Sequence, residues 1–397
     1  NYANLIKNNK YDLVNKVNSF LINFCQKNKF NLIDNFTLSN KFGLNYIYDF
    51  NKFYIARIPF SQDYAIYFFK ILVNLISISF GKAKKVLIFD LDNTIWGGII
   101  GDDGHKKIEI NNDTPLGIAF TNIQNFILNL KKRGILLAVN SKNTKSIAIE
   151  AFKKNKNMIL KEKDISVFKI NWKDKVSNLI TISKELNLGL DSFVFMDDSP
   201  VERELVRTYL PEVEVPELTE DPSEYPQIIM DLYTFDLTNF SKEDATRSLT
   251  YISNRKRDDF KKKFNDINGY LKSLKMKSNI LNFKKQNIDR IIQLFQRSNQ
   301  FNLTTIRYNY NQIESIMKNR SYKTFQLSLS DKFSKYGIIS LLVCKIEQKN
   351  LIIENWVMSC RVFSRRIENY IISFLIKTLK DKKYNFIKFN FEITDKN

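Results

Sequence analysis

The stretch VLIFDLDNTIWGG, residues 86–98, runs four apolar residues into Asp90 and Asp92, with Thr94 two places further on. Side chains alternate along an extended strand, so the two carboxylates are expected to face the same side. Two carboxylates in one crevice can take separate catalytic roles, one as a nucleophile and the other as a general acid and base. The spacing therefore indicates a catalytic pair at the end of a buried strand.

Further polar groups fall at predicted strand ends and helix starts. Ser141 ends ILLAVNS, Lys175 opens the helix DKVSNLI, and Asp197 with Asp198 ends SFVFMDD. Ligands of an open parallel sheet bind outside the carboxyl ends of its strands. Carboxylates that meet there repel one another, and an all-oxygen ligand set suits Mg²⁺, which bridges to phosphate. Each residue could alternatively cap a helix. The ordered set favours phosphoryl transfer, with Ser141, Lys175 and Thr94 as candidate phosphate-binding residues.

The elements that must position these groups alternate between strand and helix from residue 84 to about residue 215. Near-continuous apolar strands separated by amphipathic helices predict a parallel sheet with helices on both faces. The sequence therefore predicts an α/β, Rossmann-like domain over residues 83–235.

Three other segments are predicted. Residues 1–82 form a helical or partial segment, with two helices around an irregular middle, and residues 236–275 form a highly charged helical connection. Residues 276–397 hold three meandering strands, a helix and a further strand, so they are predicted to form a second α/β domain.

Composition limits the possible functions. The net charge of +20 suits an acidic partner or a lysine-rich surface, but no aromatic-basic motif of a nucleic-acid reader is present, so nucleic acid is not expected as a partner. Three cysteines without paired spacing predict a reducing, cytoplasmic setting. The single histidine, His105, excludes a multi-histidine metal site. The apolar run at residues 65–80 contains a lysine and is shorter than the roughly 20 residues of a membrane span, so a buried helix is predicted.

The order of these motifs is that of the haloacid dehalogenase (HAD) superfamily. DLDNTIWGGIIGDDG, INWKDK, LNLGLDSFVFMDDSPVERELVR and NQFNLTT resemble FkbH-like phosphatases, with similarity from about residue 50 to the end of the chain. The resemblance implies that Asp90 is the phosphoryl-accepting nucleophile and Asp92 its acid/base partner. It also implies an Mg²⁺ site made by Asp90, Asp92 (through its main-chain carbonyl), Asp197 and Asp198.

The resemblance further implies a hairpin flap over TIWGGIIGDDG, and the short spacing to the next motif predicts a site without a cap domain. FkbH-like proteins are associated with loading a glyceryl unit from a phosphorylated three-carbon acid onto an acyl carrier protein. Members that do so generally have a cysteine before the serine of the second motif, where this chain has Asn140. An amide is no nucleophile, so phosphoryl chemistry is expected to survive, whereas covalent glyceryl transfer at this position is not.

The second domain resembles the acetyltransferase (GNAT-like) module of these proteins. Its turn RVFSRR has Ser364 where related chains tend to have glycine, and Arg361, Arg365 and Arg366 are candidate contacts for a phosphate or a carrier protein. A solvated basic helix start is an equal alternative. Cys360 is interpreted as a buried structural thiol, and NQFNLTT as a cleft lining or a helix cap. Relatives usually continue beyond ITDKN, so a C-terminal truncation is expected.

The leading hypothesis is a Mg²⁺-dependent phosphatase or phosphoryl-handling transferase. It would act on a phosphorylated small carbon acid of the glycerate type or a sugar, in a pathway linked to acyl carrier protein loading. The alternative is a non-catalytic module that docks a carrier protein through its GNAT-like domain.

Overall fold

A computed structural model describes residues 9–28, 30–236, 257, 260, 264, 266–298, 301–363, 365–382 and 384–393. Most of the predicted connection at 236–275, the first two residues of NQFNLTT and Ser364 lie outside these residues. The chain divides into two compact units, Asn1–Ser77 and Ile78–Asn397. Among the described residues, no helix is long and apolar enough to cross a membrane.

The first unit is helical, as the sequence predicts, but its middle is not irregular. Asp34 and Asp49 each accept backbone hydrogen bonds and thereby begin short helices. The late apolar run is a helix, yet it is not a buried one, because Phe69 and Val73 are both 59% exposed. The helices are α1 (Lys10–Asn28), α2 (Asn35–Phe42), α3 (Leu44–Ile47), α4 (Phe50–Ala56) and α5 (Gln62–Ser79).

A four-stranded parallel sheet in the order β3-β2-β1-β4 forms the first part of the second unit. The predicted strands are confirmed, and β3 is an addition that the sequence reading missed. The elements are β1 (Val86–Phe89), α6 (Ile100–Lys107), α7 (Pro115–Lys132), β2 (Leu136–Ser141), α8 (Lys145–Lys154), β3 (Val167–Ile170), α9 (Lys175–Leu186), β4 (Phe193–Met196), α10 (Pro200–Tyr209) and α11 (Tyr225–Met230).

Helices cover both faces of this sheet because alternate strand residues enter two different cores. Leu87 and Phe89 pack in the core that α7 and α8 complete. Val86 and Ile88 pack in the opposite core, with α9 and α10. All four β1 residues are buried, which is the environment that a continuous apolar strand predicts. The α/β class is therefore confirmed.

A five-stranded sheet in the order β5-β6-β7-β8-β9 forms the second part, and its pairs are antiparallel except β8–β9. It confirms the second α/β domain, although the sequence reading missed the strand Lys277–Leu281 and the helix Tyr310–Lys318. The elements are α12 (Ile267–Ser273), β5 (Lys277–Leu281), α13 (Ile288–Arg297), α14 (Tyr310–Lys318), β6 (Tyr322–Ser330), β7 (Lys335–Glu347), β8 (Asn350–Met358), α15 (Ile367–Lys382) and β9 (Phe386–Phe389).

The two sheets of the second unit are joined at the edge of the first sheet that carries the amino ends of its strands. Lys85, which precedes β1, donates from Nζ to the Arg297 carbonyl (3.4 Å). Asn187, at the end of α9, donates from Nδ2 to the Cys360 carbonyl (3.3 Å). Cys360 is half-buried and packs against the α9–α10 core. These contacts lie at the edge opposite the carboxyl ends of the strands.

Candidate active site

The carboxyl ends of β1 and β4 bring three predicted aspartates together. Phe89 pairs with Met196 across the two strands, and the Asp90 backbone N–H donates to the Met196 carbonyl (3.0 Å). Because Asp197 and Asp198 follow Met196 directly, one carboxylate oxygen from each of Asp90, Asp197 and Asp198 lies within 4.8 Å of the others. The predicted convergence of these residues is thus present in the structure.

Lys175 lies among these carboxylates. It is the first residue of α9 and is 2% exposed, and its ammonium is 2.7 Å from Asp90 Oδ1 and 3.1 Å from Asp197 Oδ2. It also donates to the Asn140 carbonyl (2.8 Å). Burial alone would lower the pKa of Lys175, but Asp90 and Asp197 outweigh it and raise the pKa, so the side chain is a cation at neutral pH.

Asp92 faces a different set of groups from Asp90. Its Oδ1 accepts from the Trp96 indole (2.8 Å) and the Ile100 backbone N–H (3.0 Å), and its Oδ2 accepts from the Asn143 amide (2.8 Å). Burial raises the pKa of Asp92 although these three donors oppose the rise. A carboxyl held in fixed geometry with a raised pKa suits a group that gives and takes a proton. Metal binding through the Asp92 carbonyl stays a prediction.

Ser141 and Thr94 make contacts within the site. Ser141 is 1% exposed at the end of β2, and Asn143 Nδ2 lies 3.4 Å from its hydroxyl oxygen. Thr94 is fully buried, donates to Asp198 Oδ1 (2.9 Å) and accepts from the Asp198 N–H (3.2 Å). The Thr94 hydroxyl therefore donates its proton to the Asp198 carboxylate. Phosphate binding by Ser141 or Thr94 stays a prediction.

Hydrogen-bonded asparagine side chains connect β2 to α9. The sequence analysis did not predict that they position the site. Asn140, fully buried, donates from Nδ2 to the Lys175 carbonyl (3.0 Å) and accepts at Oδ1 from Asn178 (3.0 Å). Asn178 in turn contacts Asn171 in the loop before α9. These bonds fix the start of α9, and with it the position of Lys175. The run of asparagines at strand and helix ends was the available signal.

Arg203 is a second residue that the sequence reading missed. It is 3% exposed and donates from NH1 to the carbonyls of Asp197 (2.9 Å) and Asp198 (2.8 Å). Its NH2 pairs with Glu217, which also accepts from Arg207 NH2 (2.6 Å). This network holds the backbone after β4 and so orients the two carboxylates.

The flap over the site differs from a simple hairpin. Gly97 and Glu109 pair as antiparallel strands do, with N–H to carbonyl distances of 3.0 and 2.8 Å. The segment between them is the helix α6, not a turn. Gly98 has φ +91°, a backbone conformation that residues with a side chain rarely adopt, so glycine is favoured at this position.

The charges of the site fit a divalent cation. Burial raises the pKa of Asp197 to about 7, with Asp90 adding to the rise and Lys175 opposing it. Burial likewise raises the pKa of Asp198. The Asp197 Oδ2 atom is buried near Lys175 but accepts no hydrogen bond of good geometry from any described residue. Three carboxylates against one ammonium leave an excess of negative charge, and oxygen donors of this kind suit Mg²⁺.

The three candidate arginines of the second domain are not equivalent. Arg365 is 6% exposed, lies 3.4 Å from Asp331 Oδ2 and stacks 4.5 Å above the Tyr336 ring. Its NH2 also donates to the Arg361 carbonyl (2.8 Å). Arg366 has φ +57° at the start of α15. Arg365 thus belongs to the domain interior, and contact of Arg361, Arg365 or Arg366 with a phosphate or carrier stays a prediction.

No protein-family model matches the chain, and no curated protein matches it. Among solved structures, the chain is similar to the N-terminal part of the protein BF1531 from Bacteroides fragilis, which contains a phosphatase domain and is complexed with Mg. Identity is 40% and the TM-score 0.58, over 60% of this chain and 64% of that chain. This chain therefore spans slightly less than two thirds of that structure.

Two acetyltransferases match more weakly. The ribosomal-protein-S18-alanine N-acetyltransferase from Escherichia coli is 11% identical with a TM-score of 0.23, over 27% of this chain and 63% of that chain. The ribosomal-protein-alanine N-acetyltransferase from Brucella melitensis is 8% identical with a TM-score of 0.24, over 30% and 82%. These TM-scores support no conclusion about the second sheet. The stronger likeness is to a chain with a phosphatase domain, and the α/β class rests on the two sheets themselves.

Proposed function

We propose that the chain is a Mg²⁺-dependent phosphohydrolase of the HAD type. The observation that carries the proposal is the convergence of Asp90, Asp197 and Asp198 around the Lys175 ammonium at the carboxyl edge of a parallel sheet. This edge is where open α/β sheets bind ligands. The 40% identity to a chain that contains a phosphatase domain complexed with Mg supports the same chemistry.

In the first step, an Asp90 carboxylate oxygen attacks the phosphorus of a phosphate monoester. The bond between phosphorus and the leaving oxygen breaks as the new bond forms, and Asp92 donates its proton to that oxygen. The raised pKa of Asp92 suits this role because a buried carboxyl keeps its proton more readily. Lys175, 2.7 Å from Asp90, orients the nucleophile.

In the second step, water attacks the phosphorus of the aspartyl-phosphate. Asp92 accepts the proton of that water, the bond between phosphorus and Asp90 breaks, and inorganic phosphate leaves with Asp90 restored. Mg²⁺ bound by Asp90, Asp197 and Asp198 would supply positive charge against the phosphoryl oxygens. The hydroxyl of Ser141 and the ammonium of Lys175 would hold the remaining oxygens.

A finer assignment is also part of the proposal. The sequence resemblance favours an FkbH-like enzyme acting on a phosphorylated small carbon acid of the glycerate type or a sugar, with an acyl carrier protein as a partner. Asn140 argues against a covalent acyl intermediate at that position, since its amide is buried and bonded to the Lys175 carbonyl and to Asn178. These contacts favour phosphate release without a covalent acyl intermediate at Asn140.

The test is phosphate release by the full chain with Mg²⁺ across phosphorylated glycerates, other small acids and sugars. An Asp90→Asn variant removes the nucleophile, and Asp113→Asn is the matched control because Asp113 is an exposed aspartate in the loop before α7. Release that needs Mg²⁺ and Asp90, and survives in the control, is expected. No release from any substrate by folded protein would refute the phosphohydrolase and favour a carrier-docking module.

A further inference from the structure

Trp172 is exposed and follows the carboxyl end of β3, at the same edge of the sheet as the candidate active site. It lies in the loop between β3 and α9, and 74% of its surface is exposed. Large aromatic side chains carry much apolar area and an N–H donor, so they are enriched where one molecule recognises another. An indole this open is therefore a candidate contact for a ligand.

The backbone fixes this loop to the site. The Asn171 N–H donates to the Ser141 carbonyl (3.1 Å), and Asn171 Oδ1 accepts from the Lys173 N–H (2.9 Å). Lys175 follows three residues after Trp172 and is tied to Asp90. The indole is thus carried by a short segment held at both ends by residues of the carboxyl edge.

Two other segments that follow strands of the site also present apolar side chains. Ile99 lies in the flap, one residue before the N–H that binds Asp92, and is 48% exposed. Val201 lies in the first turn of α10, just after Asp197 and Asp198, and is 70% exposed.

Residues 90–141 contain only the flap, α6, α7 and β2, which confirms that no cap domain is inserted there.

The loops after β2 and β3 and the start of α10 form the rim of the site, and lysines there lie next to acidic side chains. Lys142, in the loop after β2, pairs with Glu202 in α10 at 2.5 Å. Lys173 lies next to Asp174, whose carboxylate caps α9. Since opposite charges alternate here, the rim offers an apolar and aromatic surface more than a cationic one. The charged groups that suit a phosphoryl group lie deeper, around Lys175.

We propose that Trp172 is a specificity residue that binds the leaving group of the substrate, favouring one with a ring or an apolar face, such as a sugar, over a glycerate. The inference rests on the proposed phosphohydrolase. With the phosphoryl group held among the carboxylates, the leaving oxygen carries the remainder of the substrate outward, and the indole receives it at the rim. Such a contact exists equally in the ground and transition states, so it sets KM and leaves kcat unchanged.

The experiment compares 2-phenylethyl phosphate with ethyl phosphate, two alkyl monoesters that differ by a ring. Trp172→Ala should raise KM for 2-phenylethyl phosphate about twofold to tenfold, which is the range of one aromatic contact. The KM for ethyl phosphate and both kcat values should stay unchanged. Trp172→Phe should retain most of the affinity, because it keeps an aromatic face.

Tyr209→Ala is the matched control, since Tyr209 is 68% exposed at the far end of α10 and away from the carboxyl edge. An equal effect of Trp172→Ala on both esters, or none on either, would overturn the inference while Asp90-dependent turnover still upheld the phosphohydrolase. Absence of Asp90-dependent turnover of every ester would overturn both.

Discussion

Asparagine in place of Asp197 is expected to stabilise the metal-free protein, by more at high pH than at low pH. Asp197 is 1% exposed, and burial with Asp90 nearby raises its pKa to about 7, despite the opposing charge of Lys175. Ionising this carboxyl in the folded protein is therefore harder than in the unfolded chain, where its ordinary value is 3.8. Asparagine has nearly the same shape and never ionises.

The magnitude follows from proton linkage. Below the unfolded-state pKa both states hold the proton, so the raised pKa changes the stability little. As pH rises, the unfolded chain ionises first and the folded protein loses stability, until the folded carboxyl ionises near pH 7. The loss is under about 1 kcal/mol at pH 4 and reaches about 4 kcal/mol at pH 8, given a pKa of about 7 in the folded state.

The assay is urea unfolding in the presence of a chelator at pH 5 and pH 8. Asp197→Asn should exceed the wild type in free energy of unfolding, with the larger difference at pH 8. The exposed Asp113→Asn is the control and should show no such trend. An Asp197→Asn protein that is no more stable than the wild type at pH 8 would refute the claim that the ionised Asp197 carboxylate destabilises the folded protein.

Three other outcomes are expected. Mg²⁺ should raise the melting temperature of the wild type at pH 8 and hardly change that of Asp197→Asn; equal shifts would place the metal elsewhere. Lys175→Met should abolish phosphate release. It should also destabilise the protein by about 3–5 kcal/mol, since it leaves Asp90 without its buried partner. Near-normal turnover would contradict the role of Lys175. Gly98→Ala should lower the stability by about 1–3 kcal/mol, because φ is +91° and its Cβ would meet Asp103; unchanged urea unfolding would contradict that strain.

The sequence was sufficient to predict how the aspartates converge. Apolar strands such as VLIF and FVFM are buried on both faces, so their place in a parallel sheet follows from composition. Residues that follow adjacent parallel strands must meet at one edge, which is why Asp90 could be placed near Asp197. β3 escaped prediction because Phe168 and Lys169 are only half-buried, so its apolar signal is weak.

The contacts that hold the site could not be predicted in the same way. Asn143 and Trp96 reach Asp92 from separate segments, and Arg203 reaches two backbone carbonyls after β4. Such hydrogen bonds depend on rotamers and distances that no spacing rule encodes. Arg365 is a similar case, since a basic helix start predicts solvent or phosphate, whereas the structure places the guanidinium beside Asp331.

The charge of the site explains why the cation and the substrate should depend on each other. Asp90, Asp197 and Asp198 carry three negative charges when ionised, and the Lys175 ammonium contacts two of these carboxylates, so a divalent cation would bring the four side chains to neutrality. A phosphate dianion that enters the neutral site meets no net repulsion. In the metal-free site it meets an excess of negative charge, which grows as Asp197 ionises near pH 7. The +20 charge of the chain favours approach of an anion from solution, but its field is screened within about 10 Å at moderate salt. The local cation, more than the overall charge, should therefore decide whether phosphate binds, and phosphate affinity should fall with the chelator even though the surface charge is unchanged.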